Sequence, residues 1–270
     1  MARRITIENK EHEEKYLSVT EDRLNVNAEL TNDETKSIVR IDELGALKTF
    51  ELTRLVGTGF NGTVKDTNFW TETLAGSGAV TQADGEVELA TGTDANSTVK
   101  YQSVRKARKL GGVVNLFRAM ARLATVHVVD NIRRIGAYDA NNGYFIQIDG
   151  STLSVGARKA TVDTLVESGS FNGNLGASFT PDMTIMILGI AIAERGVNFY
   201  INDVLLHKIV GGTTPLTEED TLPVTMENIN YNDNTVDSIY HVRFATILRN
   251  GGLLTAPTSF YLPLERPQLT

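Results

Sequence analysis

The 270-residue chain is 41% apolar and 22% charged, enough to bury a sizeable core, so disorder is excluded as its main state. A net charge of −7 argues against a broad phosphate-binding face, and therefore against nucleic acid as a partner. The absence of cysteine excludes disulfides, thiolate zinc sites and a cysteine nucleophile, which suits a reducing cytoplasm.

Residues 1–65 read as an arm. The opening MARRITIENKEHEEKY carries two arginines but continues into charge and not into an apolar stretch, so it is not read as a secretory signal. Short β-type pieces follow at 16–19 and 37–41. Apolar residues are too sparse here to offset the entropy of ordering without a partner surface. Arg3, Arg4, Ile5, Ile7, Tyr16 and Leu17 are therefore the candidate assembly residues, on an arm that adds strands to, or wraps around, neighbouring subunits. The stretch GTGFNG at 57–62 matches the dinucleotide fingerprint G-x-G-x-x-G, whose glycines admit a pyrophosphate at the start of a helix. No 3.6-residue apolar stripe follows it, so it reads as a tightly turned linker.

From residue 66 to 270 the chain is predicted to be one antiparallel β-sandwich of jelly-roll type. Short β-type runs fall at 69–74, 85–90, 98–104, 113–129, 132–138, 144–148, 152–158, 161–167, 184–193, 197–201, 204–210, 222–230 and 238–248, each bounded by Gly, Asn or Asp turn signals. Helical periodicity is almost absent. The run 185–193 is too short to span a bilayer and reads as a buried strand, so no membrane partner is expected. In GVNFYINDVLLHK at 196–208, Val197, Phe199 and Ile201 alternate on one face before Asn202-Asp203 and the pattern resumes after it. That is a hairpin, its turn set by residues that tolerate positive φ.

Candidate chemistry is thin along this span. The four histidines, His12, His127, His207 and His241, lack ligand spacing, and NYNDNTVD at 230–237 resembles a calcium loop in composition while lacking its Gly and bidentate Glu. Neither a metal nor a cofactor is expected. Glu86-Val-Glu88 is the one strand pair that could serve as glycosidase carboxylates, which must flank the bond about 5 Å apart, but its small neighbours favour a solvated strand face. No Gly-x-Ser-x-Gly elbow is present. The basic run at 105–109 reads as a wet strand end, and Trp70, the sole tryptophan, as core in preference to a sugar platform.

Several stretches carry a family resemblance: DTNFWTETLAGSGAVTQADGEVELATG (66–92), NLFRAMARL (115–123), RRIGAYDANNGYFIQIDGSTLSV (133–155), SGSFNG (168–173), VNFYINDVLLHKI (197–209) and TLPVTMENIN (221–230). They resemble tailed-bacteriophage structural proteins with a concanavalin/laminin-G-like sandwich, whose F-I-D-G-x-x-x-H hairpin looks like FYINDVLLH here. The resemblance implies a virion component made in the host cytoplasm: a head decoration, fibre, tail or baseplate subunit that is not an enzyme. Its partners would be other virion proteins and further copies of itself. The alternative is a carbohydrate-binding module contacting host-surface glycans; a glycosidase is the third reading, weakened by the missing carboxylate pair.

Overall fold

The computed structural model describes residues 5–7, 15–17, 52–110, 113–125, 127–193, 196–211 and 220–250. Every regular element among them is a strand. The chain divides into two units, 1–51 and 52–270. In the first, β1 (Ile5–Ile7) and β2 (Lys15–Leu17) pair antiparallel, Ile5 opposite Leu17 and Thr6 opposite Tyr16. Arg3 and Arg4 lie outside the described residues.

The second unit contains β3 (Leu52–Gly59), β4 (Trp70–Ala75), β5 (Ala79–Ala83), β6 (Glu86–Ala90), β7 (Thr98–Arg108), β8 (Asn115–Leu123), β9 (Asn131–Tyr138) and β10 (Gly143–Asp149). It continues with β11 (Thr152–Lys159), β12 (Val162–Glu167), β13 (Met186–Ala193), β14 (Gly196–Ile201), β15 (Val204–Val210), β16 (Thr221–Asn230) and β17 (Ile239–Asn250). A seven-stranded sheet runs β12-β11-β10-β9-β16-β7-β4. The second sheet runs β15-β14-β13-β8-β17-β6-β5, with β3 also on β17. All pairings are antiparallel, and the expected sandwich is the fold observed.

The core lies between the sheets. Alternate residues of each strand supply it, among them Val99, Ile135 and Val224 from one sheet and Phe117, Ile190, Phe199 and Ile247 from the other. The 196–208 hairpin forms, with Asn202 and Asp203 at φ of 50° and 63° and Phe199 fully buried opposite His207, but a register shift at Phe199/Tyr200 breaks the alternation of β15, leaving Val204 exposed and Leu206 buried. Trp70 is core, stacked on Tyr101 with ring centroids 4.9 Å apart.

GTGFNG is not a linker. Its first half completes β3, which pairs with β17 from Leu52–Asn250 to Gly59–Phe244. Gly57 sits at φ 113°, and a Cβ there would fall inside the backbone of Ala245 and Thr246; glycine is what lets the two strands close. Val56 and Phe60 are thereby delivered to the core.

One end of the sandwich is joined by amides instead of hydrocarbon. Asn228 Nδ2 donates to the carbonyls of Leu89 and Ser238, while its Oδ1 accepts from Asn131 Nδ2 and Ser238 Oγ. Arg133 enters the same network through Ser238 Oγ at 2.8 Å and Thr125 Oγ1 at 3.1 Å, and burial pushes its pKa down to about 10. The calcium-like stretch spends its polar groups in this region: Asn230 donates to the carbonyl of 236, Asn234 to those of 129 and 130, and the Asp233 carboxylate accepts from Asn96. No group of three metal-ligating side chains occurs among the described residues.

Candidate functional site: a polar row across the seven-stranded sheet

Strand alternation sends Ile135, Ala137, Tyr144, Ile146 and Val155 into the core, so Arg134, Tyr138, Phe145, Gln147, Ser154 and Arg158 stand on the opposite, outer face. Cross-strand register places one outward residue from each of the seven strands in a single line. In order these are Glu167, Ser154, Gln147, Arg134, Glu227, Lys100 and Thr73. All seven are polar, and six interstrand steps make the row about 29 Å long. The adjacent row contains Leu165, Gly156, Phe145, Gly136, Thr225, Gln102 and Thr71.

The centre of this face is packed as a second layer. Tyr138 and Phe145 are fully buried although neither faces the core. Phe145 lies over Gly156, where a Cβ would meet ring carbons at 2.5 Å. The Arg134 guanidinium covers the ring at 4.2 Å from its centroid and donates through Nε and Nη2 to Gln147 Oε1 at 2.9 and 2.5 Å. Arg134 also reaches Asp163 at 3.3 Å, and Asp163 takes a two-pronged bond from Arg158 at 2.6 and 2.9 Å.

Glu227 is central. It stands opposite Arg134, is paired with Lys100 at 3.4 Å, and is the only carboxylate that strands β9 and β16 present on this face. Other outward carboxylates, Asp149 on β10 and Asp163 and Glu167 on β12, are two and four strands away. Next to Glu227, the Tyr138 hydroxyl is buried without a hydrogen-bond partner; desolvation, then the Glu227 charge, raises its pKa well above the usual range. The face therefore offers exposed or half-buried donors and acceptors at Lys100, Gln102, Thr71, Thr73 and Arg158 beside a buried floor of paired charges.

The Glu86-Val-Glu88 pair is elsewhere and is not merely solvated. It lies on the outer face of the other sheet, where Glu86 accepts from Arg122 at 2.8 Å and Arg243 at 2.8 Å, with His241 Nδ1 at 3.2 Å. His241 Nε2 faces Glu88 at 3.6 Å. The bonds from Arg122, then Arg243, hold Glu86 down to about 2, against the opposing effect of burial. His207 is on β15 and buried, His127 is in a loop, and His12 lies outside the described residues, so the histidines are not brought together. The basic run 105–109 ends β7, with Lys106 on Asp139 at 3.0 Å.

Of the residues expected to serve assembly, Ile5, Ile7, Tyr16 and Leu17 lie on the paired strands β1 and β2, apart in sequence from the row described here. Arg134, Tyr138, Phe145, Gln147 and Glu227 went unremarked as site residues. The signal they offer is two long polar side chains, Arg134 ahead of the apolar end of RRIGAY and Gln147 between the two isoleucines of YFIQI.

No protein-family model and no curated protein matches the sequence. Solved structures do match. The endo-1,3-β-glucanase (laminarinase) catalytic domain of Thermotoga petrophila aligns over 75% of this chain and 100% of its own, at TM-score 0.55 and 8% identity. The endo-β-1,3-glucanase of Pyrococcus furiosus covers 74% and 95%, at 0.55 and 8%. LamA of Zobellia galactanivorans in complex with laminaritriose and laminaritetraose covers 74% and 100%, at 0.54 and 9%. The fold is the concanavalin-like jelly-roll sandwich, and at these identities the likeness is one of fold.

These comparisons correct the expectation that the chain is not an enzyme: the architecture it shares is that of glycoside hydrolases. They also supply no virion protein among the structures named, so that reading keeps only its sequence resemblance.

Proposed function

We propose that the chain binds a linear, hydroxyl-rich glycan along the polar row of the seven-stranded sheet. The carrying observation is the register itself: seven strands each place one polar residue in a line about 29 Å long, matched to an extended chain of several sugar units. Lys100 is paired with Glu227, and Arg134 and Arg158 share Asp163, so a neutral polyol can lie over these groups without stranding an unpaired charge. The shared fold with β-1,3-glucanases makes laminari-oligosaccharides the first ligands to test. Calorimetry with laminaritetraose should show binding that falls roughly 10-fold in Lys100→Ala or Glu227→Gln, the loss of one good hydrogen bond. Absence of binding across β-glucans would overturn the reading.

Cleavage of the bound glycan is the second reading, favoured by the fold and by Glu227 standing mid-row as a carboxylate beside a buried hydroxyl. Release of new reducing ends from laminarin, abolished by Glu227→Gln, is its test. The setting we propose is the surface of a tailed-phage particle assembled in the host cytoplasm, with neighbouring virion proteins and copies of the chain as partners through residues 1–51. The sequence resemblance and the apolar-poor arm support that setting.

A further inference from the structure

The outer face of the second sheet, on the opposite side of the sandwich from the polar row, carries a groove. Phe117 and Ala119 of β8, Leu188 and Ile190 of β13 and Phe199 and Ile201 of β14 point into the core, so Leu116, Arg118, Gly189, Ala191 and Tyr200 point outward. Register sets them in two rows: Arg118 beside Gly189 beside Tyr200, and Leu116 beside Ala191 beside Asn198. The middle strand contributes only a hydrogen and a methyl. A trough two interstrand steps wide, about 10 Å, therefore runs along β13 between walls on β8 and β14. Its volume is about 370 Å³, within the range of small-molecule sites, and Val114 and Asp203 complete its lining.

The walls are held. Arg118 Nη2 donates to Asp203 Oδ1 at 2.7 Å, and the turn that carries Asp203 is pinned to β13: the Asn202 amide bonds the Ile187 carbonyl at 2.7 Å, and Asn202 Oδ1 accepts the Ile187 amide at 2.9 Å. Asn198 Nδ2 donates to the Tyr200 hydroxyl at 3.3 Å. Gly189 lies inside a strand paired on both sides, where glycine weakens a sheet and commonly marks a close approach by another group. The three atoms nearest to a Cβ placed there all belong to the Tyr200 side chain, at 3.3 to 3.8 Å, so local packing has room for a methyl and does not account for the glycine.

The lining selects its occupant. The Arg118 and Asp203 side chains, 31% and 70% exposed, neutralise each other, so a charged ligand would have to break the pair. Side by side they present a donor and an acceptor, the complement of adjacent hydroxyls, while Leu116, Ala191 and the Tyr200 ring offer apolar surface to a C–H face. We propose that this groove is a second binding site, for one neutral sugar ring seated on the Gly189 floor between Tyr200 and the Arg118–Asp203 pair. It stands independently of the polar row.

Backbone amide shifts locate the ligand. Titrating the full chain with glucose and with galactose should move the Gly189, Ala191 and Tyr200 amide signals saturably, with a dissociation constant on the order of 1 mM. Gly189→Ala, which raises the floor by a methyl, should weaken the response roughly 10-fold with the melting temperature retained, and Arg118→Met, which removes the donor, should weaken it by a similar factor. Lys100→Ala and Glu227→Gln, on the polar row, should leave it intact, which separates failure of this site from failure of the row. No shift at these amides up to about 100 mM of either sugar, or equal binding by the parent and both groove variants, overturns the proposal.

Discussion

The guanidinium of Arg134 lies 4.2 Å above the ring of Phe145, and the ring in turn lies on Gly156 of the neighbouring strand. Three residues from three adjacent strands thus form one stack on the outside of a sheet. Its lowest member has no side chain because any side chain would displace the other two.

Gly156→Ala tests that stack. The new methyl would sit 2.5 Å from ring carbons of Phe145 and 2.8 Å from Leu165 Cδ2, and the ring is fully buried beneath Arg134 with nowhere to swing. Thermal unfolding should show a loss of about 1 to 3 kcal/mol. A melt indistinguishable from the parent would mean that the ring moves freely and the layer is loose.

Phe199→Ala removes a fully buried ring from the β14 side of the core. A loss of about 3 to 5 kcal/mol in chemical denaturation is expected for a cavity of that size in a two-sheet core.

Glu86 gives the fold a pH dependence of defined sign. Its carboxyl drops from 4.5 to about 2 on folding, so the unfolded chain binds the extra proton, and stability rises with pH across that window. The contribution, up to about 3 kcal/mol, is complete above pH 5 and lost as pH falls toward 2. Glu86→Gln should therefore melt below the parent at pH 7, with the gap closing near pH 2.5. A gap independent of pH would detach the effect from ionisation.

Asn228→Asp changes one atom and should cost about 2 kcal/mol or more, because the carbonyls of Leu89 and Ser238, which now accept from Nδ2, would face a carboxylate oxygen. Asn228→Ala should also destabilise, by leaving those carbonyls unpaired. Retention of the parent melting temperature by the Asp variant would place a proton or a water where the amide now stands.

A chain shortened to begin at residue 66 should be less stable than one beginning at 52. The shorter form lacks β3, and with it Val56 and Phe60, both almost wholly buried. Equal denaturation midpoints for the two would show β3 to be dispensable to the sandwich.

Local chemistry was sufficient for most of the strands. A short apolar run marks β13, period-two alternation marks β14 and β15, Asn202-Asp203 marks its own turn, and the all-β class follows from the absence of helical spacing. It failed where neighbours override the local signal. β3 hides in a glycine-rich motif because its glycines serve contact with β17, a strand nearly 190 residues later in the chain, as the bond from Thr246 to Val56 shows. Glu86 and Glu88 look solvated because Arg122, His241 and Arg243, which bind them, come from other strands.

The polar row is the clearest case of a feature absent from any one segment. Arg134, Gln147, Ser154 and Glu167 come from the successive strands β9 to β12, but Glu227, Lys100 and Thr73 come from distant parts of the chain, and only pairing register brings Arg134 opposite both Gln147 and Glu227. Side-chain alternation is a property of one strand and can be read from it. Register is a property of pairs, decided by turns, bulges and core packing over the whole sheet, and the face on which a ligand would lie exists only once that decision has been made.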